Sequence, residues 1–214
     1  MATSNHDEHI LVVPRTAFFP HGAWHGIKQE ELATHLAIIQ EYKQFIPRSI
    51  AEHDPSYKQI IPYLIFMHQD CIFVMQRRSD ASEARLRNKY SIGIGGHVRQ
   101  EDMQQGNSIF DWAQREFHEE VAYAGSITMT PLGILNDDSD AVGQVHAGLV
   151  LLINGSSDEI SIRSELKSGH LLPIDQCIDY NDSMESWSKM VLKELLDRRS
   201  IVDINKKIYT VDCQ

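Results

Sequence analysis

The run Gln114-Arg115-Glu116-Phe117-His118-Glu119-Glu120-Val121 decides how this chain is read, and a glycine cluster, Gly93, Gly95 and Gly96, precedes it by some twenty residues. In a helix Glu116, Glu119 and Glu120 stand at i, i+3 and i+4 and crowd one face. At 3.6 residues per turn the three carboxylates cover roughly a quarter to a third of the circumference. Like charges at this spacing repel by about 0.2–0.5 kcal/mol per pair. A divalent cation removes that cost.

Phe110, Ala113, Phe117, Val121 and Ala124 recur around the cluster with helical spacing and predict the core-facing stripe. On a helical wheel Glu120 lies about 60° from the centre of that stripe, beside Ala113 and Phe117. A solvated face is the ordinary reading of an acidic cluster. A half-buried carboxylate, however, is expensive unless it is paired or bound to metal. Oxygen ligands with no histidine or cysteine at matching spacing suit a hard ion, magnesium or its common substitute manganese. Such an ion polarises a phosphoryl oxygen, binds the leaving group and activates water. The chemistry implied is metal-assisted cleavage of a phosphoanhydride or phosphoester.

These residues resemble the box of the Nudix (MutT-like) hydrolases, G-x5-E-x7-R-E-U-x-E-E-x-G-U with U apolar. Arg115-Glu116-Phe117-His118-Glu119-Glu120 fits its second half without a gap, and Gly95-Gly96-His97 is similar to the glycine pair that opens it. Counting back from Arg115 puts the first-half glutamate at Asn107, and the segment between Gly96 and Asn107 is then longer than the pattern. Ala122 stands at the late glycine, with Gly125 close behind. The resemblance implies a loop–helix–loop in which Glu119 and Glu120 are the main metal ligands. Glu116 is a further ligand or the group that orients the attacking water, and Arg115 positions the carboxylates. It also implies an oxygen ligand from the main-chain carbonyl of Gly95. With Asn107 at the glutamate position, Arg115 is expected to lean on Glu101 or Asp102 instead.

The resemblance extends along most of residues 10–195. Phe45-Ile46-Pro47-Arg48, Asp54-Pro55-Ser56-Tyr57-Lys58-Gln59, Gln76-Arg77-Arg78, Glu83-x-Arg85-Leu86, Asn136-Asp137-Asp138-Ser139 and Val142-Gly143-x-Val145-His146 are similar to a bacterial subgroup of MutT-like proteins labelled predicted phosphoesterases. It implies an α/β fold, a Nudix-like α/β/α sandwich around a mixed sheet, in a single domain over residues 1–214. Residues 1–55 are then an N-terminal elaboration and 56–200 the core.

Composition narrows the function classes. The chain has 214 residues, 42% of them apolar, and a formal net charge of −10. A full hydrophobic core fits within one domain. That charge argues against a nucleic-acid or anionic-membrane partner, since both need a basic surface. It leaves anionic small ligands open, because a bound metal reverses the sign locally. Cys71, Cys177 and Cys213 are odd in number, widely spaced and form no C-x-x-C pair, so a reducing compartment is expected. The first fifteen residues carry Asp7 and Glu8 and do not read as a signal peptide. The longest apolar run, 147–153, is too short to span a bilayer. The expected location is cytoplasmic, and a homodimer is left open.

Hydrophobic patterning predicts strands at 10–14, 60–67, 71–76, 91–94, 127–135, 145–153 and 171–174, with Ile160 and Ile162 in another and a terminal strand at 207–211. Helices are predicted at 29–42, at the box, where Ser108-x-x-Asp111 resembles a capping box, and at 183–198 with Trp187, Val191 and Leu195 inward. Pro62 belongs at the start of its strand or at a sheet edge. The strand 145–153 is apolar on both faces, which marks a central strand covered twice.

Other site candidates are His97, beside the glycine pair and placed to contact phosphate, and Arg77 or Arg78 at a strand end near the cleft. Asp137, Asp138 and Asp140 form an acidic turn able to orient substrate, His146 reads as a satisfied core histidine, and Glu159 or Glu165 is available as a base. His21 and His25 lie among proline and glycines that do not support a zinc-binding helix. The leading expectation is a magnesium- or manganese-dependent hydrolase of the diphosphate bond in a small nucleotide-type substrate, a nucleoside diphosphate linked to another moiety. The alternative is a catalytically weak ligand-binding protein on the same fold, favoured by Asn107. An isopentenyl-diphosphate-type isomerase lacks a cysteine near the box.

Overall fold

Two strands buried on both faces organise the molecule, and the chain reaches them from both termini. The computed structural model describes residues 7–77, 88–104, 106, 108–163 and 166–209. Arg78, Glu83, Arg85, Leu86, Asn107, Glu165 and Cys213 lie outside the described residues. The chain begins with β1 (His9–Pro14), α1 (Arg15–Phe18), β2 (Gly26–Lys28), α2 (Leu32–Tyr42), β3 (Gln44–Pro47) and α3 (Arg48–Ala51). A hairpin of β4 (Tyr57–His68) and β5 (Cys71–Arg77) follows, then the short β6 (Tyr90–Ser91) and β7 (Ile94–Gly95). After the box helix α4 (Ile109–Glu120) come β8 (Val121–Tyr123), β9 (Ile127–Asn136), α5 (Ala141–Val145), β10 (His146–Gly155), β11 (Ile160–Ile162) and β12 (Leu166–Pro173). A long α6 (Ser186–Tyr209) closes the described chain.

The main sheet runs β12-β5-β4-β10-β9-β2, with β10 parallel to β4 and antiparallel to β9, so it is mixed. Strand alternation sends β4 and β10 into two cores. Ile60, Leu64, Phe66, Leu149, Leu151 and Ile153 pack on one face with Ile109, Trp112, Ala113 and Phe117 of α4. Tyr63, Ile65 and Val150 pack on the other with Val191, Leu192 and Leu195 of α6. The result is the α/β/α layering that the two-sided strand 145–153 implies.

Three expectations are corrected. Pro62 lies inside β4, opposite Leu149 of β10, rather than at a strand start. Its tolerance has a local cause: the other edge of β4 pairs with β1 at residues 57–59 and with β7 at residues 63–64, and Pro62 falls in the gap. The terminal strand at 207–211 is overturned as well, since α6 continues helical through Tyr209. The stripe of α4 is also turned from its predicted setting. Ala113 and Phe117 are buried, but Phe110 is 36% exposed, and Ile109 and Trp112 take its place. Val121 and Ala124 lie beyond the helix end. Between Ile109 and Trp112 on the wheel sits Glu116.

The start of α4 follows the predicted capping box. Asp111 accepts from the Ser108 amide at 3.1 Å, and the Ser108 hydroxyl accepts from the Phe110 amide at 3.2 Å. The Trp112 indole donates to the Gly106 carbonyl at 3.0 Å and ties the preceding loop to the helix. That loop and cap set the rotation of the carboxylates.

Candidate active site

Strand β7 ends at Gly95, and the chain then passes directly over the carboxylate of Glu116. A Cβ on Gly96 would overlap that carboxylate, so only glycine allows the approach. Glu116, not Glu120, is the buried member of the cluster, with 8% of its surface exposed. Its pKa is pushed up to about 7 by burial, with Glu120 and Glu119 adding to the rise and the Arg115 and Arg99 charges opposing it. Glu120, the last residue of α4, is half-buried. The side chain of Glu119 is 51% exposed.

Arg115 is the organiser. Its Nη1 donates to Glu119 Oε2 at 2.6 Å, and its Nη2 lies 3.0 Å from Asp102 Oδ2, 3.3 Å from Glu116 Oε2 and 3.4 Å from the His97 carbonyl. Asp102 is 1% exposed and also accepts the Arg99 amide at 2.7 Å. Of the two partners expected for Arg115, Asp102 is therefore the one used. Glu101 points outward and lies 3.8 Å from Arg99. This corrects the reading of the first half of the box. Counted forward from Gly96, residues 97–101 intervene, and the acidic position falls on Asp102. The enlargement lies between Asp102 and Arg115, not before Asn107. Counting from the glycine rather than from the arginine is the signal that would have found it. Arg99, missed in the sequence, places Nη2 3.3 Å from Glu119 Oε1.

The remaining candidates are distributed unevenly. Gly95 pairs with Tyr63 across the β7–β4 ladder, one residue before the glycine that meets Glu116. The His97 ring turns to Gln59 and His146, with Nε2 2.7 Å from Gln59 Oε1. Asp137 is buried, lies 3.4 Å from His25 Nδ1 and accepts the Ser139 amide at 3.2 Å. Asp138 pairs with Arg15 and, at 2.7 Å, with the fully buried Lys58. Lys58 also donates to the carbonyls of Gly143 and His146 at 2.7 and 3.0 Å. Asp140 caps α5 by accepting the Gly143 amide at 2.7 Å. The acidic turn is thus held by structural bonds. Arg77 closes β5, and Glu159 is exposed before β11.

The residues present fit a hard divalent ion. Three carboxylates share the last two turns of α4, one of them desolvated with a glycine backbone flush against it, and oxygen donors of this kind are the chemistry of a hard ion. Gly96→Ala is expected to push Glu116 aside and weaken magnesium binding by about 10–100-fold, the scale for disturbing a ligand's support. Calorimetric titration of the variant checks this.

No protein-family model matches the chain. Protein YmaB of Bacillus subtilis (strain 168) is 30% identical over 202 residues, covering 87% of this chain and 96% of YmaB. The crystal structure of Tm1382, a candidate Nudix hydrolase, is 29% identical, with a TM-score of 0.75 over 89% of this chain and 99% of Tm1382. The Nudix domain of Shewanella oneidensis NrtR, solved with ADP ribose, is 14% identical, with a TM-score of 0.52 over 66% of this chain and 88% of that one. It shares the fold.

Proposed function

This chain belongs to the Nudix (MutT-like) hydrolase superfamily, and from that premise we propose that it is a pyrophosphohydrolase that splits the diphosphate linkage of a nucleoside diphosphate derivative with a magnesium or manganese ion. The observation that carries the reading is the Glu116 carboxylate, buried against Gly96 beside Glu119, Glu120 and Arg115. In this reading Glu119, Glu120 and the Gly95 carbonyl hold the ion, with Glu116 as further ligand or as acceptor of a proton from the attacking water. When bound, the ion neutralises phosphoryl oxygens and lowers the pKa of water. Arg115 fixes the Glu119 and Glu116 oxygens through charge-assisted hydrogen bonds. Arg99 holds the other oxygen of Glu119, so two cations keep this exposed carboxylate in place until metal arrives. ADP ribose, bound by NrtR, is one member of the substrate class to test.

The alternative, a ligand-binding protein without turnover, rested on Asn107. Asp102 in the acidic position removes that support. A panel of nucleoside diphosphate derivatives, with and without magnesium, tests the proposal by the nucleoside monophosphate or phosphate released. Metal-dependent turnover of at least one compound is expected. Binding of panel members without turnover of any would replace the hydrolase by the ligand-binding protein.

A further inference from the structure

A second cluster lies behind the glycine turn, and its chemistry differs from that of the carboxylates. Glu52 Oε1, His97 Nε2 and His146 Nε2 all lie within 4.8 Å of one another. The two ring nitrogens are 3.3 Å apart, and His97 Nε2 is 3.9 Å from Glu52 Oε1. Ligand atoms about 2.0–2.1 Å from a tetrahedral ion are themselves about 3.3 Å apart. The spacing is already close to that of a bound set.

Second contacts orient the donors. His146 Nδ1 is 2.7 Å from the Val142 carbonyl, which requires the proton on Nδ1 and leaves a lone pair on Nε2, facing His97. A histidine that donates its far N–H to a backbone carbonyl is the usual support of a metal ligand. Lys58 holds the His146 carbonyl at 3.0 Å and fixes the start of β10. Gln59 is fully buried and its Oε1 accepts from His97 Nε2 at 2.7 Å, so that ring takes its other tautomer when Nε2 meets an ion, while the Gln59 Nε2 has no hydrogen-bond partner. That orphaned amide costs about 1–3 kcal/mol.

We propose that Glu52, His97 and His146, with the Gln59 carbonyl as a fourth donor, form a site for an imidazole-preferring divalent metal of the zinc class. Two imidazoles and a carboxylate suit zinc, cobalt or iron and do not suit magnesium. The site is distinct from the carboxylate cluster. Arg115 reaches the backbone carbonyl of His97, at 3.4 Å, whereas the ring turns to Gln59 and His146. The site joins three separated pieces of chain: Glu52 just after α3, His97 after the glycine turn and His146 at the start of β10. Binding would staple the N-terminal segment to the sheet.

The test uses the full chain, stripped of metal and then held in excess magnesium, with zinc added by calorimetry and cobalt by its visible ligand-field bands. One zinc per chain is expected. Its affinity should fall by about 100-fold or more in His146→Gln and in Glu52→Gln, and the cobalt bands should change in both. The triple variant Glu116→Gln, Glu119→Gln, Glu120→Gln should keep zinc binding. Glu52 is partly exposed, so Glu52→Gln decides the matter if His146→Gln does not fold. Absence of zinc binding, or binding lost in the triple variant and kept in Glu52→Gln, overturns the proposal. Neither outcome bears on hydrolysis, which the substrate panel reads separately.

Discussion

Glu116→Gln is expected to lower magnesium-dependent hydrolysis by roughly 10³-fold, the equivalent of the ~4 kcal/mol lost when one partner of a buried charge pair is removed. Glutamine keeps the volume beneath Gly96 and the contact with Arg115 but cannot carry charge. The same substitution should stabilise the metal-free protein, and the sign follows from the folded pKa, raised from 4.5 to about 7. The folded state prefers the protonated form, so this group contributes stability that is complete below about pH 4.5. That contribution is lost as pH rises through about 7, where the buried carboxylate must ionise. Glutamine never ionises. The melting temperature of the metal-free variant should therefore exceed that of the wild type above pH 7 and converge with it below pH 4.5. The ceiling on the gap is about 3 kcal/mol. Magnesium should raise the wild-type melting temperature above pH 7 and leave the variant unchanged. A variant that still turns over, or melts lower than wild type at pH 8 without metal, would remove Glu116 from the site.

Asp102→Ala is the second large effect. Asp102 and Arg115 form a buried pair, and removing the carboxylate strands the guanidinium and the Arg99 amide together. Breaking such a pair costs about 3–5 kcal/mol. Asp102→Asn keeps an acceptor for Arg99 but halves the bond to Arg115, so it should unfold less readily while hydrolysis still falls by about 10–100-fold. Glu101→Gln, on a side chain facing solvent, should change neither by much. Denaturant unfolding and steady-state rates on the three variants check the order. If Glu101→Gln is the more damaging, the acidic position has been misplaced.

The box alone announces the superfamily, because R-E-x-x-E-E at helical spacing is a local pattern and survives any tertiary context. The α/β/α layering was legible for a similar reason. A strand apolar on both faces, at 145–153, has to be covered twice whatever packs on it. The capping box at Ser108 is equally local, four residues long and satisfied within its own turn.

Rotation of α4 was not legible. Phe110 and Ala113 share helical spacing with Phe117, and Ile109 shares it with Trp112 and Ala113. The two stripes differ by a fraction of a turn, and only the sheet decides which is covered. That rotation chose Glu116 over Glu120 as the desolvated carboxylate. The Asp102–Arg115 pair depends on how a loop of variable length folds back, which spacing from one end does not determine. Glu52, His97 and His146 meet across nearly a hundred residues, brought together when β1 and β10 pair with the same strand, β4. The sequence by itself determined the elements, the layers and the family, because each rests on interactions between near neighbours or on a burial pattern. Tertiary structure alone decided which carboxylate is buried, which acid holds the arginine and which histidines face each other, because those depend on contacts between segments far apart in the chain.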